Sequence, residues 1–340
     1  MRNKGFDNVY VVPDWSDKQH LTQVIVQGGY LDSAEVVQKT LGFGNIEPTS
    51  TGEISSDLTI RLGEDSIDKI GNNREILVIE NSSQKKIKEV IEKEYDNCNV
   101  ILNNSNLGYA KAANIGFNYI KSDYALLLNT DIVITDKQIN EIENKVKSLD
   151  NDFSLASPIS DDLIDFNQNN KIDKFFVNKI DGFNYREEIS QIELVKGCSL
   201  VVNLKKFNNE DVFDDNYFFF FEEMDLCRKI KKRDEKIFVF NQIRIEHKSA
   251  QSLDENLVVK YHNFRHWNYF WGRFYYFKKN YGYLYALMTH ISKLLRFGLN
   301  ILKYFFISKP HFNKNKYRFL GLLYSIIGKS SKLSVKILEE

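Results

Sequence analysis

Through the middle of the chain, short apolar runs alternate with longer stretches whose apolar positions recur at helical spacing. Arg74 to Ile79 reads REILVI, Gln84 to Glu94 is charged with helical spacing, and Asn99 to Leu102 is a second apolar run. Gly108 to Lys121 is Ala-rich and helical, and Tyr124 to Leu128 is a third strand. Strands alternating with helices imply parallel pairing and a layered α/β sheet. Leu194 to Val202 returns to strand character around Gly197, and Lys236 to Phe240 and Ile243 to His247 read as short strands. Between them, FDDNYFFFFEEMDLCRKIKKR joins an aromatic run to a helix. Its first turn holds Glu222, Glu223 and Asp225, and Arg228, Lys229, Lys231 and Lys232 lie toward its end. Residues 159 to 175, rich in Asn and Asp, read as a surface loop. In the first 70 residues, VYVVPDW (9–15) and VIVQGGY (24–30) suggest strands, and ISSDLTIRLGEDSIDKI suggests a helix with no good strand before it.

One apolar run is interrupted. YALLLNTDIVI breaks at Asn129, Thr130 and Asp131 before Ile132, Val133 and Ile134 resume. A buried, unpaired carboxylate normally neutralises, finds a partner or binds a metal. Asp131 therefore belongs either at a strand end facing a cleft or in a turn. Ligands in open α/β sheets bind beyond the carboxyl ends of the strands. Two strong strands end in polar clusters, Glu80-Asn81-Ser82-Ser83 and Asn129-Thr130-Asp131, and two such clusters at one sheet edge describe a cleft.

With 340 residues, 43% of them hydrophobic, the chain can build one large or two ordinary domains. Cys98, Cys198 and Cys227 lie far apart with no C-x-x-C pair, against a disulfide framework or a zinc site and in favour of a reducing compartment. MRNKGFDNVYVV lacks the apolar segment of a signal peptide, so a cytoplasmic protein is expected. The net charge is zero, yet residues 256–340 carry fifteen Lys and Arg against two Glu, which marks a boundary near residue 255. Its longest uncharged run, Asn280 to Ser292, is shorter than the roughly 18–20 residues a spanning helix needs. Helices bearing Lys293, Arg296 and Lys303 among Leu, Phe and Tyr suit the surface of an anionic leaflet. The alternative is a helical cap with a solvated basic face. No recognition motif accompanies the charge, so nucleic acid is not an expected partner.

NREILVIENSS, NLGYAKAANIGF, YALLLNTDIVI, VKGCSLVV, FFFFEEMDLCRKI and IEHKSAQS occur in the order and approximate spacing of inverting family 2 glycosyltransferases with the GT-A fold. The rhamnosyltransferase-like branch, which builds bacterial surface polysaccharides, is the branch residues 74 to 252 most resemble. The resemblance implies a nucleotide-diphosphate-sugar donor and a divalent cation, Mg2+ or Mn2+, which neutralises charge developing on the leaving group. It implies Asp131 as the metal-binding aspartate and His247 as the histidine that completes the site, with Ser252 a weaker match. The family's base lies in a Glu-Asp-x-Asp cluster, here Glu222-Glu223-Met224-Asp225, so the position of the base falls on Glu223, one methylene longer than usual. Glu222 and Asp225 remain alternatives. Clustered like charges raise a carboxyl pKa as a base needs. Acids in the first turn and bases in the last also complement the helix dipole.

For the donor, the resemblance implies Glu80 at the nucleobase, with Asn81 and Asn129 in the strand-end clusters. Asn106, Gly108, Lys111 and Asn114 match the segment leading into a helix whose N-terminal amides favour a diphosphate. Gly197 matches a glycine in the strand facing the acceptor, where the missing side chain lets sugar approach. Phe218 to Phe221 read as core and cleft wall.

The expected organisation is a divergent N-terminal part with a possible insertion (1–73), a GT-A catalytic core (74–254) and a helical, basic, aromatic-rich extension (255–340). The expected activity is sugar transfer to a hydroxyl of a saccharide acceptor, lipid-linked, on the inner face of the cytoplasmic membrane. The altered positions Glu80 and Glu223 motivate an alternative, a catalytically impaired scaffold at the membrane surface.

Overall fold

The computed structural model describes residues 23–26, 45–47, 58–61, 74–82, 86–160, 163, 173, 175–176, 187–208, 210–247 and 255–332. β1 (Gln23–Val26) runs parallel to β2 (Asn45–Glu47) and antiparallel to β3 (Leu58–Arg61) in a three-stranded sheet. β3 is a strand where the sequence pattern suggested none; LTIR alternates apolar and polar, but over too few residues to stand out. The helix expected over ISSDLTIRLGEDSIDKI is thus a strand at Leu58–Arg61, and the rest of that stretch, VYVVPDW and Ser252 lie outside the described residues.

β4 (Ile76–Glu80) pairs in parallel with β5 (Cys98–Leu102), and α1 (Lys86–Glu94) makes the crossover. α2 (Tyr109–Tyr119) then buries Ala110, Ala112, Ala113, Asn114, Gly116 and Phe117, small side chains that let it lie close to the strands. At β6 (Tyr124–Leu128) the expected parallel pairing fails. β6 instead pairs antiparallel with a strand from far along the chain, Ser199–Asn203.

The main sheet is consequently mixed. In chain order its later strands are β8 (Leu155–Ile159), β9 (Ile189–Ile192), β10 (Ser199–Asn203) and β11 (Ile237–Arg244), and their spatial order is β6-β10-β8-β11-β9. Only β8 and β11 are parallel. The physical reason lies in burial. Every residue of β8 and β10 is buried, so each needs a hydrogen-bonded neighbour on both edges, and β10 takes β8 on one side and β6 on the other. Helix alternation reports what lies between strands, not which later strand fills the adjacent slot.

A short bridge, β7 (Ile132–Val133) with β12 (Glu246–His247), closes the edge beyond β6. Thr135 caps α3 (Asp136–Ser148) through a capping box with Gln138. Ile139, Ile142 and Val146, spaced for one helical face, are buried along α3.

α4 (Glu222–Lys232) forms where the acid-to-base gradient predicts. Three further helices follow: α5 (Glu255–Tyr281), α6 (Tyr283–Tyr304) and α7 (Lys309–Ile326). α5 is a core element and not a surface helix. Phe264, Trp267, Trp271, Phe274 and Phe277 recur at helical spacing and are all buried, with Phe218 packed against the same cluster as Phe264 and Trp267. Arg228 of α4 donates to Asp173 at 2.6 Å, and Tyr276 and Tyr281 of α5 donate to the same carboxylate. Asp173 belongs to the stretch read as surface loop, yet it is 5% exposed and ion-paired.

The three C-terminal helices approach closely. A Cβ added at Gly321 of α7 would stand 2.1 Å from the carbonyl oxygen of Trp267 of α5. Gly321→Ala is expected to destabilise the protein by about 1–3 kcal/mol, the range for overpacking, measured as a lower urea midpoint. An unchanged midpoint would mean that α5 and α7 do not cross at this distance.

Candidate active site

The interrupted strand resolves into a strand end and a turn. The Asn129 amide donates to the carbonyl of Cys198 at 2.9 Å, extending the β6 ladder by one bond, and the Ile132 amide returns to Asn129 at 3.1 Å. Thr130 and Asp131 are thus the corner of a tight turn. The β7–β12 bridge sets His247 opposite Ile132, one residue beyond Asp131. The carboxylate of Asp131 lies 3.1 Å from Nε2 of His247, with the two side chains 35% and 17% exposed.

This spacing tests the expected cation. An octahedral ion with bonds of about 2.1 Å sets adjacent ligand atoms about 3 Å apart. One carboxylate oxygen and one imidazole nitrogen at 3.1 Å fit two adjacent positions. Among the described residues no group of three or more His, Cys, Asp or Glu gathers at one place. A cation held here would take its remaining ligands from bound substrate and water.

The donor-side residues form a hydrogen-bonded corner. Oδ1 of Asn81 accepts from the Leu107 amide at 3.0 Å and from Asn103 at 3.1 Å, and its amide reaches the carbonyl of Gly108 at 3.2 Å and Asn106 at 3.3 Å. Asn106 accepts in turn from the Gly108 amide at 3.0 Å. The Asn103 amide donates to the backbone carbonyl of Glu80 at 3.0 Å. Asn81 thereby joins the end of β4 to the start of α2.

Lys111 and Asn114, expected at the diphosphate, are placed by the structure against another segment. Asn114 is 3% exposed; it accepts from the Phe213 amide at 3.0 Å and donates to Phe213 at 2.8 Å and to Asp215 at 2.7 Å. Lys111 lies 3.8 Å from Asp215. Both side chains fasten α2 to the segment that leads into the aromatic run.

The start of α2 grips that run directly. The Tyr109 amide donates to the carbonyl of Phe218 at 2.9 Å, and Gly108 makes this possible. Its φ is +86°, and a Cβ there would meet the Phe218 oxygen at 2.6 Å. The Tyr109 hydroxyl donates to the carbonyl of Gly197. The Asn81 side chain, backbone bonds and the Tyr109 hydroxyl therefore link Asn81 and Gly108 to Phe218 and Gly197, and the Cys198 carbonyl to the turn that carries Asp131.

Phe220 and Phe221 have φ of 72° and 75°, the left-handed region that costs non-glycine residues of order 1–3 kcal/mol each. Packing holds them there: Phe221 lies 5.3 Å from Tyr269 and 5.9 Å from Tyr276, and a Cβ at Gly272 would meet the Phe220 oxygen at 2.9 Å. The consequence is the placement of Glu222 and Glu223. Glu222 is 6% exposed, Glu223 is half-buried, and Oε2 of each is buried with no hydrogen-bond partner.

Burial pushes the Glu222 carboxyl well above its ordinary range, Glu223 pushes it further, and Lys196 opposes both. Burial also raises Glu223, and Lys196 pulls it back. Burial and the charges of Glu222 and Glu223 raise the Tyr109 hydroxyl, which remains protonated. Asp225 is set apart: it is bound by Lys279 at 2.6 Å and by Asn280 at 3.2 Å, both on α5. Of the three acids, Glu222 and Glu223 sit side by side without an ion pair among the described residues, and Asp225 ties α4 to α5.

Tyr109 and Lys196 went unnoticed in the sequence. Their signal was adjacency: Tyr109 follows the Asn-Leu-Gly turn, and Lys196 precedes Gly197.

Residues 64–204 match the family model described as Glycosyl transferase family 2, and residues 1–65 match one described as LytR cell envelope-related transcriptional attenuator. The first match spans Glu80 to Gly197 and ends before Glu222 and His247. No curated protein matches the chain. Among solved structures, GalNAc-T7 with UDP, GalNAc and Mn2+ is similar at 12% identity and a TM-score of 0.40, over 75% of this chain and 50% of that one. S. aureus TarS 1-349 is similar at 10% identity and 0.39, over 75% and 82% of the two chains. Its complex with UDP-GlcNAc gives 11% and 0.39, over 75% and 83%. The chain thus spans half the length of the GalNAc-T7 chain it matches.

A carboxyl whose folded pKa is raised costs stability as pH climbs from its unfolded value, 4.5, because the unfolded chain ionises first. Glu222→Gln removes that cost. The variant is expected to melt above the wild type at neutral pH, with the gain vanishing as pH falls below about 4.5. A calorimetric pH series in which the two melt together at pH 7 would place Glu222 in solvent.

Proposed function

We propose that the protein is an inverting glycosyltransferase that moves a hexosyl or deoxyhexosyl group from a nucleotide-diphosphate sugar to a hydroxyl of a saccharide acceptor. The observation that carries this reading is a pair of adjacent carboxylates, Glu222 and Glu223, each with one buried oxygen that has no hydrogen-bond partner, following a segment bonded through Tyr109 to Gly197, whose neighbour Cys198 bonds the turn that carries Asp131 opposite His247. The match of residues 64–204 to Glycosyl transferase family 2 supports sugar transfer as the reaction class.

Inversion is one in-line displacement. The acceptor oxygen bonds to the anomeric carbon as the bond from that carbon to the diphosphate oxygen breaks, and the hydroxyl proton passes to a base on the opposite face. Glu223 is that base. It is less deeply buried than Glu222, and Lys196 favours its ionised form. Glu222, buried deeper and raised further, keeps its proton and donates a hydrogen bond that holds the acceptor or its neighbour in place. Two carboxyls with pKa values pushed apart divide acid and base roles in this way. Tyr109 fixes the Gly197 carbonyl beside them.

Asp131 and His247 would hold Mg2+ or Mn2+, whose charge stabilises the departing diphosphate. Asn81 and Asn106 shape the donor corner, Gly108 opens the α2 N-terminus to it, and Asn129 orients the turn that carries Asp131. Glu80, at the end of β4 beside Asn81, faces the nucleobase in this reading. The acceptor is a lipid-linked saccharide in bacterial surface polysaccharide synthesis, met at the inner face of the cytoplasmic membrane. The basic C-terminal extension supports that location, and the resemblance to the rhamnosyltransferase-like branch supports the pathway.

Asp131→Ala is expected to remove EDTA-sensitive donor turnover, assayed as hydrolysis across a panel of nucleotide sugars; a donor consumed equally with and without EDTA would sink the metal assignment. Glu223→Gln is expected to lower kcat by about 10²–10⁴-fold while donor affinity, read by calorimetry, stays within about twofold. Near-normal turnover by the purified Glu223→Gln enzyme would remove Glu223 as the base.

A further inference from the structure

α6 is amphipathic in the wrong sense for a helix that serves only the core. Ala286, His290 and Phe297 are buried, and Phe297 stacks edge-on against Phe270 of α5 at 4.8 Å. On the opposite side Leu284, Met288, Leu295, Leu299 and Leu302, three, four or seven residues apart, are 72%, 70%, 62%, 68% and 74% exposed. The stripe continues into the connection to α7, where Phe306 is 91% exposed. Single exposed apolar residues are ordinary; a line of them along about five turns of one helix marks an interaction surface.

The charge around the stripe says what covers it. Residues 283–332 hold nine Lys and Arg and no Asp or Glu. Arg296 and Lys303 on α6 and Lys309 and Lys314 on α7 are exposed. A second copy of the chain seated on this face would bring these cations against their own counterparts, since a twofold interface is self-complementary. An anionic lipid surface offers apolar depth and opposite charge together. Among the described residues no helix is long and apolar enough to cross a membrane, so α6 would lie in the plane of the interface.

We propose that the exposed face of α6 docks the protein onto an anionic lipid leaflet, with Leu284, Met288, Leu295, Leu299 and Leu302 entering the headgroup boundary and Arg296 and Lys303 pairing with lipid phosphates. This identifies the surface behind the membrane location proposed above and rests on that reading only for why docking is useful. α6 packs on α5, and α5 holds Phe220 at Gly272 and Asp225 at Lys279. Docking therefore sets the cleft at a fixed orientation to the lipid that carries the acceptor.

Flotation of the full chain with phosphatidylcholine vesicles, with and without phosphatidylglycerol, tests it. The wild type is expected to float with the anionic vesicles at low salt. Leu295→Glu/Leu299→Glu is expected to bind at least about tenfold more weakly, and Arg296→Glu/Lys303→Glu at least about fivefold more weakly. Both variants alter only exposed side chains and are expected to keep the wild-type melting temperature and donor hydrolysis. A wild type that stays unbound, variants that float like it, or a dimer in light scattering that the leucine variant dissociates would each overturn the proposal. Vesicle binding that follows the variants, with donor hydrolysis absent throughout, would leave docking standing and remove the transferase reading.

Discussion

The cleft depends on how Phe218 to Phe221 are held. Two of these residues sit in left-handed backbone, a conformation that relaxes unless its surroundings forbid it. Here two close backbone approaches, each allowed by a glycine, restrain the run: Gly108 of α2 against Phe218 and Gly272 of α5 against Phe220. The next residues in the chain are Glu222 and Glu223. Were either clamp lost, both carboxylates would be free to reach water, where they would titrate as ordinary acids.

Electrostatics then sorts the acids of α4. Asp225 finds Lys279 and is neutralised as part of the α4–α5 joint, much as Arg228 is neutralised by Asp173 beneath it. Glu222 and Glu223 have no such partner, and Lys196 acts on both only at longer range. A buried carboxyl oxygen without a hydrogen bond is a cost to the folded state. It is also a group able to accept a proton or a hydroxyl when one arrives.

α5 gives the C-terminal extension its meaning. Its aromatic face completes the core around Phe218, and its far side carries α6, whose outward face is apolar and bordered by cations. One helix thus joins the carboxylates to that outward face. A basic, aromatic tail read from composition alone separates into two parts, an interior helix and one with an exposed apolar face.

Much was legible in the residues. Helical spacing and acid-to-base gradients placed α1, α2 and α4, and the break in YALLLNTDIVI marked the turn that presents Asp131, because a carboxylate in an apolar run has few physical outcomes. The pairing of β6 with β10 was not legible, since local pattern records which face of a strand is buried and not which distant strand lies beside it. The same limit hid Tyr109 and Lys196, whose roles exist only through Gly197, Glu222 and Glu223. It also hid the use of Asn114 and Lys111 as fasteners of the segment at Phe213 and Asp215. Sequence alone determined the elements, the turn and the acids, because these follow from spacing and charge within a few residues. Only the tertiary structure decided which acids stay unpaired and which aromatic face is interior, because both depend on partners that the chain brings together from opposite ends.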